Sequence, residues 1–296
     1  MPPEMKSFHC YVDNAGQFHT PIDHPLDRVN RDLVVVSSLW IPKDLRLELF
    51  SSLLRRRENY YGKIHFKNFR KTHGNCEKTG RRWLEEFFEN WLDQLFWKST
   101  AIVRIWPNYD PTRYGEMASV SACKREHNYW IRSNLDGARK YFFQSSFVSL
   151  SLIHDRRPEM TDYFEDGEKH TFWDYIAKHL LEINVKDSKF IELPERRRYG
   201  VDPDEEIFQL CDLLSGTARL WFRRGLALPT SHNKAKRFCA RILQECIRSW
   251  MTDPSIRKHV SISVFPTEQN EFYDVLLQGL PIQTPTRPVA AGVVNS

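Results

Sequence analysis

Long apolar runs are missing from this chain. No window approaches the roughly 18 uninterrupted apolar residues of a membrane span, and the opening MPPEMKSFHCYVD has no apolar signal core. Both absences point to a soluble globular protein, with the cytoplasm as its default compartment and no membrane partner. Cysteine is scattered: Cys10, Cys76, Cys123, Cys211, Cys239 and Cys246 form no C-x-x-C pair and no regular spacing. That pattern argues against both a zinc site and a disulfide framework. The twelve glycines are too dispersed for a phosphate-cradling loop or a dinucleotide fingerprint, and no Gly-x-Ser-x-Gly elbow is present.

The residues that are present suffice for a large core, being 41% hydrophobic and 13% aromatic over 296 positions. Strands are expected at 9–13 (HCYVD), 33–42 (LVVVSSLWIP), 101–106, 146–155 and 260–265, with a short one near 188–193. Helices are expected at 80–97, about 118–143, 171–182, 204–223 and 235–251. The clearest is 80–97, where Trp83, Leu84, Phe87, Phe88, Trp91, Leu92, Leu95 and Phe96 form one stripe that should be buried against a sheet. Strands followed by alternating helices and strands predict one α/β domain over 1–278, a mixed central sheet flanked by helices. The proline-containing end, 279–296, reads as a disordered tail.

Net charge is only +5, but its distribution is uneven. Between Arg55 and Arg82 ten Lys/Arg stand against Glu58 and Glu77, so this stretch carries +8 and the remainder −3. Cations interleaved with Tyr60, Tyr61, Phe66 and Phe69 suit a nucleic-acid backbone and its bases. The plainer reading is a helix end followed by a solvated loop, since the Arg triplet closes the helical run DLRLELFSSLL.

Three aspartates stand out. Asp13 and Asp155 end apolar strands, where α/β sheets commonly bind ligands, and Asp212 interrupts the apolar face of a helix able to cover that edge. Carboxylates from separate elements are what Mg2+ or Mn2+ requires for phosphodiester chemistry, although a strand-end Asp is more commonly a turn or cap residue. Gln209 lies one turn before Asp212 on the same helix face, placed to orient the carboxylate, to contact a ligand or to make a helix hydrogen bond. His65 is a candidate general acid or phosphate contact, or simply a solvated or core histidine. His154 and Asp155 should point to opposite faces of their strand.

The order of YVDNAG, IHFKNFRK with a long helix after it, a strand ending LIHD, and IFQLCDLLSG resembles the domain-of-unknown-function family numbered 3800, over residues 8–225. That resemblance implies a ribonuclease H-like fold. It also implies a metal site at Asp13, Asp155 and Asp212, of which Gln209 to Asp212 match the family's final motif best. The chain departs from the family at Asn14 and Ala15, where Glu-Ser is usual. It departs again at Lys63, where a motif glutamate is usual, with His65 at the motif's lysine position. Lost carboxylates remove metal ligands, leaving support for one ion unless another acid such as Glu126 contributes. The resulting expectation is a Mg2+- or Mn2+-dependent nuclease with Asp13, Asp155 and Asp212 as catalytic and metal-binding residues. Lys63, His65, Lys67, Arg70 and Lys71 would guide nucleic acid. The alternative is a catalytically degenerate domain that binds nucleic acid, a protein partner or a second copy of itself.

Overall fold

The computed structural model describes residues 6–16, 18, 32–69, 74–104, 109–114, 120–144, 146–155, 162–165, 168–171, 176, 178–180, 182–195, 197–226, 228 and 233–265. Arg70, Lys71, the expected tail at 279–296 and most of the helix expected at 171–182 lie outside them. Six strands form one mixed sheet: β1 (Lys6–Ala15), β2 (Leu33–Pro42), β3 (Phe96–Val103), β4 (Val148–Asp155), β7 (Ile183–Ile191) and β8 (Val260–Phe265). A separate hairpin pairs β5 (Asp162–Glu165) with β6 (Glu168–Thr171).

The sheet order is β7-β4-β1-β2-β3-β8. Strands β1, β2 and β3 make an antiparallel meander, while β4 joins β1, β7 joins β4 and β8 joins β3 in parallel. Only β2 therefore runs against the other five, whose C-terminal ends share one edge. Period-two alternation divides β1 between two cores: Tyr11 faces one, while Phe8, Cys10 and Val12 face the other.

Helices α1 (Arg46–Arg57), α2 (Asn75–Asn90), α4 (Pro203–Gly225) and α5 (Lys234–Thr252) cover the Tyr11 side, and α3 (Val120–Phe143) covers the opposite side. The start of α4 is fixed locally. Asp202 caps it by accepting the Asp204 N–H at 2.8 Å, Pro203 opens the first turn, and Asp204, Glu205 and Glu206 complement the amide end. This helix lies directly on β1 and β2 and is buried along most of its length.

The aromatic helix differs from its expectation at both ends. It spans Asn75–Asn90, and Phe96 and Trp97 belong instead to β3. Pairing of Trp97 with Val260 and of Phe96 with Trp40 outweighs the helical stripe that continues through them. Its apolar face packs chiefly against α1, α4 and α5, and meets the sheet through contacts of Phe87 and Phe88 with Trp97.

One core residue is costly. Lys98 on β3 is 6% exposed and offers its ammonium to the hydroxyls of Ser261 and Ser263 at 3.1 and 3.3 Å. Burial lowers its pKa from 10.5 to about 8. The unfolded chain therefore binds the Lys98 proton more tightly than the folded one, and stability rises as pH climbs from about 8 towards 10.5. The shift corresponds to about 3 kcal/mol. Lys98→Met should raise stability at pH 7 by roughly 1–3 kcal/mol and flatten the gain in melting temperature between pH 8 and 10. A variant as pH-dependent as the parent in thermal unfolding would refute this account.

Candidate functional site

The common C-terminal edge carries the three aspartates. Val12 on β1 pairs with His154 on β4, the last pair of that ladder, and Asp13 and Asp155 follow it on neighbouring strands. Tyr11 and Ile153, two residues earlier, both face the α4 side, and alternation turns Asp13 and Asp155 the same way. Asp13 is 4% exposed and Asp155 half-buried. His154 turns to the α3 side, its ring 5.4 Å from that of His127, while its Nδ1 lies 2.7 Å from the Asp155 backbone oxygen. The two side chains thus diverge, as strand alternation requires.

Asp212 enters from α4. Its Oδ2 accepts the Phe66 N–H at 2.8 Å and lies 3.1 Å from His65 Nδ1. One turn earlier, Gln209 Oε1 accepts the Ile64 N–H at 2.6 Å while its amide donates to Glu205 O at 3.0 Å. Glu206, a further turn back, forms a fully buried ion pair with Arg57, whose other nitrogen donates to the carbonyls of Tyr60 and Gly62 at 2.9 Å. Glu206, Gln209 and Asp212 therefore form a row that holds the 60–66 segment along α4. The Gln-Leu-Cys-Asp stretch gains a structural role that the sequence reading gave only as one alternative for Gln209.

His65 sits between these acids. Burial pulls its pKa down, but the charges of Asp212 and then Asp13 outweigh that and raise it above the usual value. A neutral ring accepts the Lys67 N–H at Nδ1, 3.0 Å away, whereas a protonated ring donates from the same atom to Asp212. The imidazolium-carboxylate pair stabilises the fold fully below the unfolded pKa and is lost as pH rises through the higher folded value.

The basic stretch is largely consumed by the fold. Lys63 donates to Leu193 O at 2.6 Å and to Glu195 at 3.2 Å. Arg56 pairs with Glu86, Arg57 with Glu206, Arg81 with Glu77 and Arg82 with Glu58. Phe69 is buried and Phe66 packs against it. Lys67 is exposed beside the acidic edge. Glu126 does not join the aspartates: it is held on the α3 side by Arg104 and by the Tyr109 hydroxyl.

No protein-family model matches the chain, and no curated protein does. The site is therefore judged on its own donors. Three carboxylates suit a hard cation in kind, yet among the described residues no three His, Cys, Asp or Glu side chains gather into a metal-holding group. Asp212 engages Phe66 and His65 through its Oδ2.

Cations beside Asp212 were missed in the sequence. Gly216, Arg219 and Arg223 follow it at helical spacing on one stripe of α4, and that signal was legible in DLLSGTARLWFR. Lys236 reaches the same place from α5, its Nζ 5.2 Å from the centre of the Phe66 ring. Proximity across 24 residues carries no sequence signature.

Two measurements check this geometry. Gln209→Leu strips the buried Ile64 N–H of its acceptor and should cost about 1–3 kcal/mol in denaturant unfolding. In NMR titration, His65 should titrate above pH 6.5 in the parent, the usual histidine value, and drop in Asp212→Asn. An unchanged midpoint would remove Asp212 as the cause.

Proposed function

We propose that this chain is a ribonuclease H-like domain, of the family its motifs resemble, that binds nucleic acid at its acidic edge without carrying out metal-dependent cleavage there. The observation that carries this reading is the engagement of Asp212. The best-matching motif acid engages the Phe66 N–H and His65 through Oδ2, while Lys63, at the motif-glutamate position, is bonded to Leu193 and Glu195. Support for the fold comes from a three-strand meander extended at its first strand by parallel strands, with acids at the ends of β1 and β4 and on the helix over them. Support for a polyanionic partner comes from Lys67, Lys236 and Arg219, which border an edge that would otherwise repel phosphate.

A second reading has one observation in its favour. Asp13 and Asp155 stand side by side facing α4, as a divalent-metal nuclease would need, and Mg2+ or Mn2+ would be its cofactor.

Labelled RNA, DNA and hybrid oligonucleotides separate the two. Binding is expected to persist in chelator, to weaken steeply with salt and to survive Asp13→Asn, with no cleavage in either metal. Cleavage that requires Mg2+ or Mn2+ and disappears in Asp13→Asn would establish the second reading instead. Absence of both binding and cleavage would overturn both.

A further inference from the structure

We infer that the outward face of α1 is a twofold interface on which a second copy of this chain docks, with α1 packed antiparallel on its counterpart. Five large apolar side chains are well exposed among the described residues, and three of them, Leu47 at 61%, Tyr61 at 38% and Val201 at 74%, lie on or beside this helix. The other two, Tyr141 and Phe147, belong to α3 and to the approach to β4. The α1 patch is continuous. A Cβ on Gly200 would lie 3.3 Å from both Leu54 Cδ1 on α1 and Tyr61 Cδ1, and Val201 is the next residue. The Tyr199 N–H donates to Tyr61 O at 2.9 Å, which holds these two loops side by side. At about 100° per residue, Leu47, Ser51 and Leu54 fall within about 60° of one another around the helix. They form a stripe with a small, exposed residue at its middle.

Charge decides which partner fits. Of the five charged residues on α1, three are matched within the chain: Arg46 to Asp204, Arg56 to Glu86 and Arg57 to Glu206. Among the described residues no ion pair engages the other two, Glu48 and Arg55, and both are exposed. Seven positions apart, they share one flank of the stripe, separated by about 20° around the helix and about 10.5 Å along it. A twofold axis lying in the interface across α1 at Ser51 reverses the second helix and keeps that flank in place. Glu48 then faces the partner's Arg55 and Arg55 faces the partner's Glu48, so the contact forms twice. The same axis lays Leu47 against the partner's Leu54, and the small Ser51 at the crossing lets the two helices approach closely. A stripe with an acid at one end and a base at the other complements itself when turned end to end. A uniformly charged partner, such as a nucleic-acid backbone, would meet one wrong charge.

The interface is independent of what the acidic edge binds, and sedimentation of the full chain over a range of concentrations tests it. The parent should pass from monomer to dimer as concentration rises. Glu48→Arg sets arginine against arginine at both contacts and Arg55→Glu sets glutamate against glutamate, so each should weaken self-association at least about tenfold. The double variant Glu48→Arg/Arg55→Glu reverses both contacts and should dimerise again. An equimolar mixture of the two single variants should form a heterodimer, because every contact between them is once more of opposite charge. Leu47→Ser removes apolar area without touching a charge, should also weaken the dimer, and keeps the test valid where a charge reversal disturbs α1. A parent that stays monomeric throughout, a dimer unaffected by Leu47→Ser or by both charge reversals, or folded single variants that do not associate when mixed, each overturns the interface.

Discussion

A stretch of backbone without a strand partner governs the architecture of the acidic edge. Residues 60–66 run along α4, and their polar groups must be satisfied there or leave the fold. The helix supplies the partners from one row: Glu206 through Arg57, Gln209 for Ile64 and Asp212 for Phe66. The first of these is a fully buried ion pair, for which loss of one partner typically costs about 3–5 kcal/mol. Because Gly200 also donates to Glu206 at 2.8 Å, a single carboxylate ties α1, the 60–66 segment and the approach to α4 together. The position of His65, and so the electrostatic character of the edge, follows from that fastening.

Much of the fold was legible in the sequence because its signals are local. LVVVSSLWIP and VSISVF are strands with the expected bounds, and α4 begins at its Asp-Pro cap. The end of α2 was not legible, because Phe96 and Trp97 continue the helical stripe and are claimed for β3 by partners more than 50 and 160 residues away. The β5–β6 hairpin was overlooked although Asp166-Gly167 separates its strands, a dipeptide suited to a two-residue turn. At the edge, the shared orientation of Asp13 and Asp155 could be read from strand alternation. The engagement of Asp212 could not, since its partners are the Phe66 amide, 146 residues earlier, and the neighbouring His65 ring.

Charge behaved differently from its count. The +8 of residues 55–82 suggested a free cationic surface, yet Arg56, Arg57, Lys63, Arg81 and Arg82 are each matched to a carboxylate supplied by α2, α4 or the loops around them. The cations that border the aspartates come instead from α4, where four acids outnumber three arginines, and from α5. A sequence tally records how many charges a segment has, whereas the fold decides which of them still face water.

Lys98 gives β3 a different behaviour before the sheet is complete. The last of the described strands, β8, lies more than 150 residues after β3, so during synthesis β3 remains an edge strand, its outer hydrogen-bonding groups open to any extended chain. An inward-facing lysine, fully hydrated and charged at that stage, opposes such pairing. Only when β8 arrives with Ser261 and Ser263 does the ammonium find hydroxyl partners and leave water. The residue that burdens the finished protein thus guards the nascent one against joining the wrong strand.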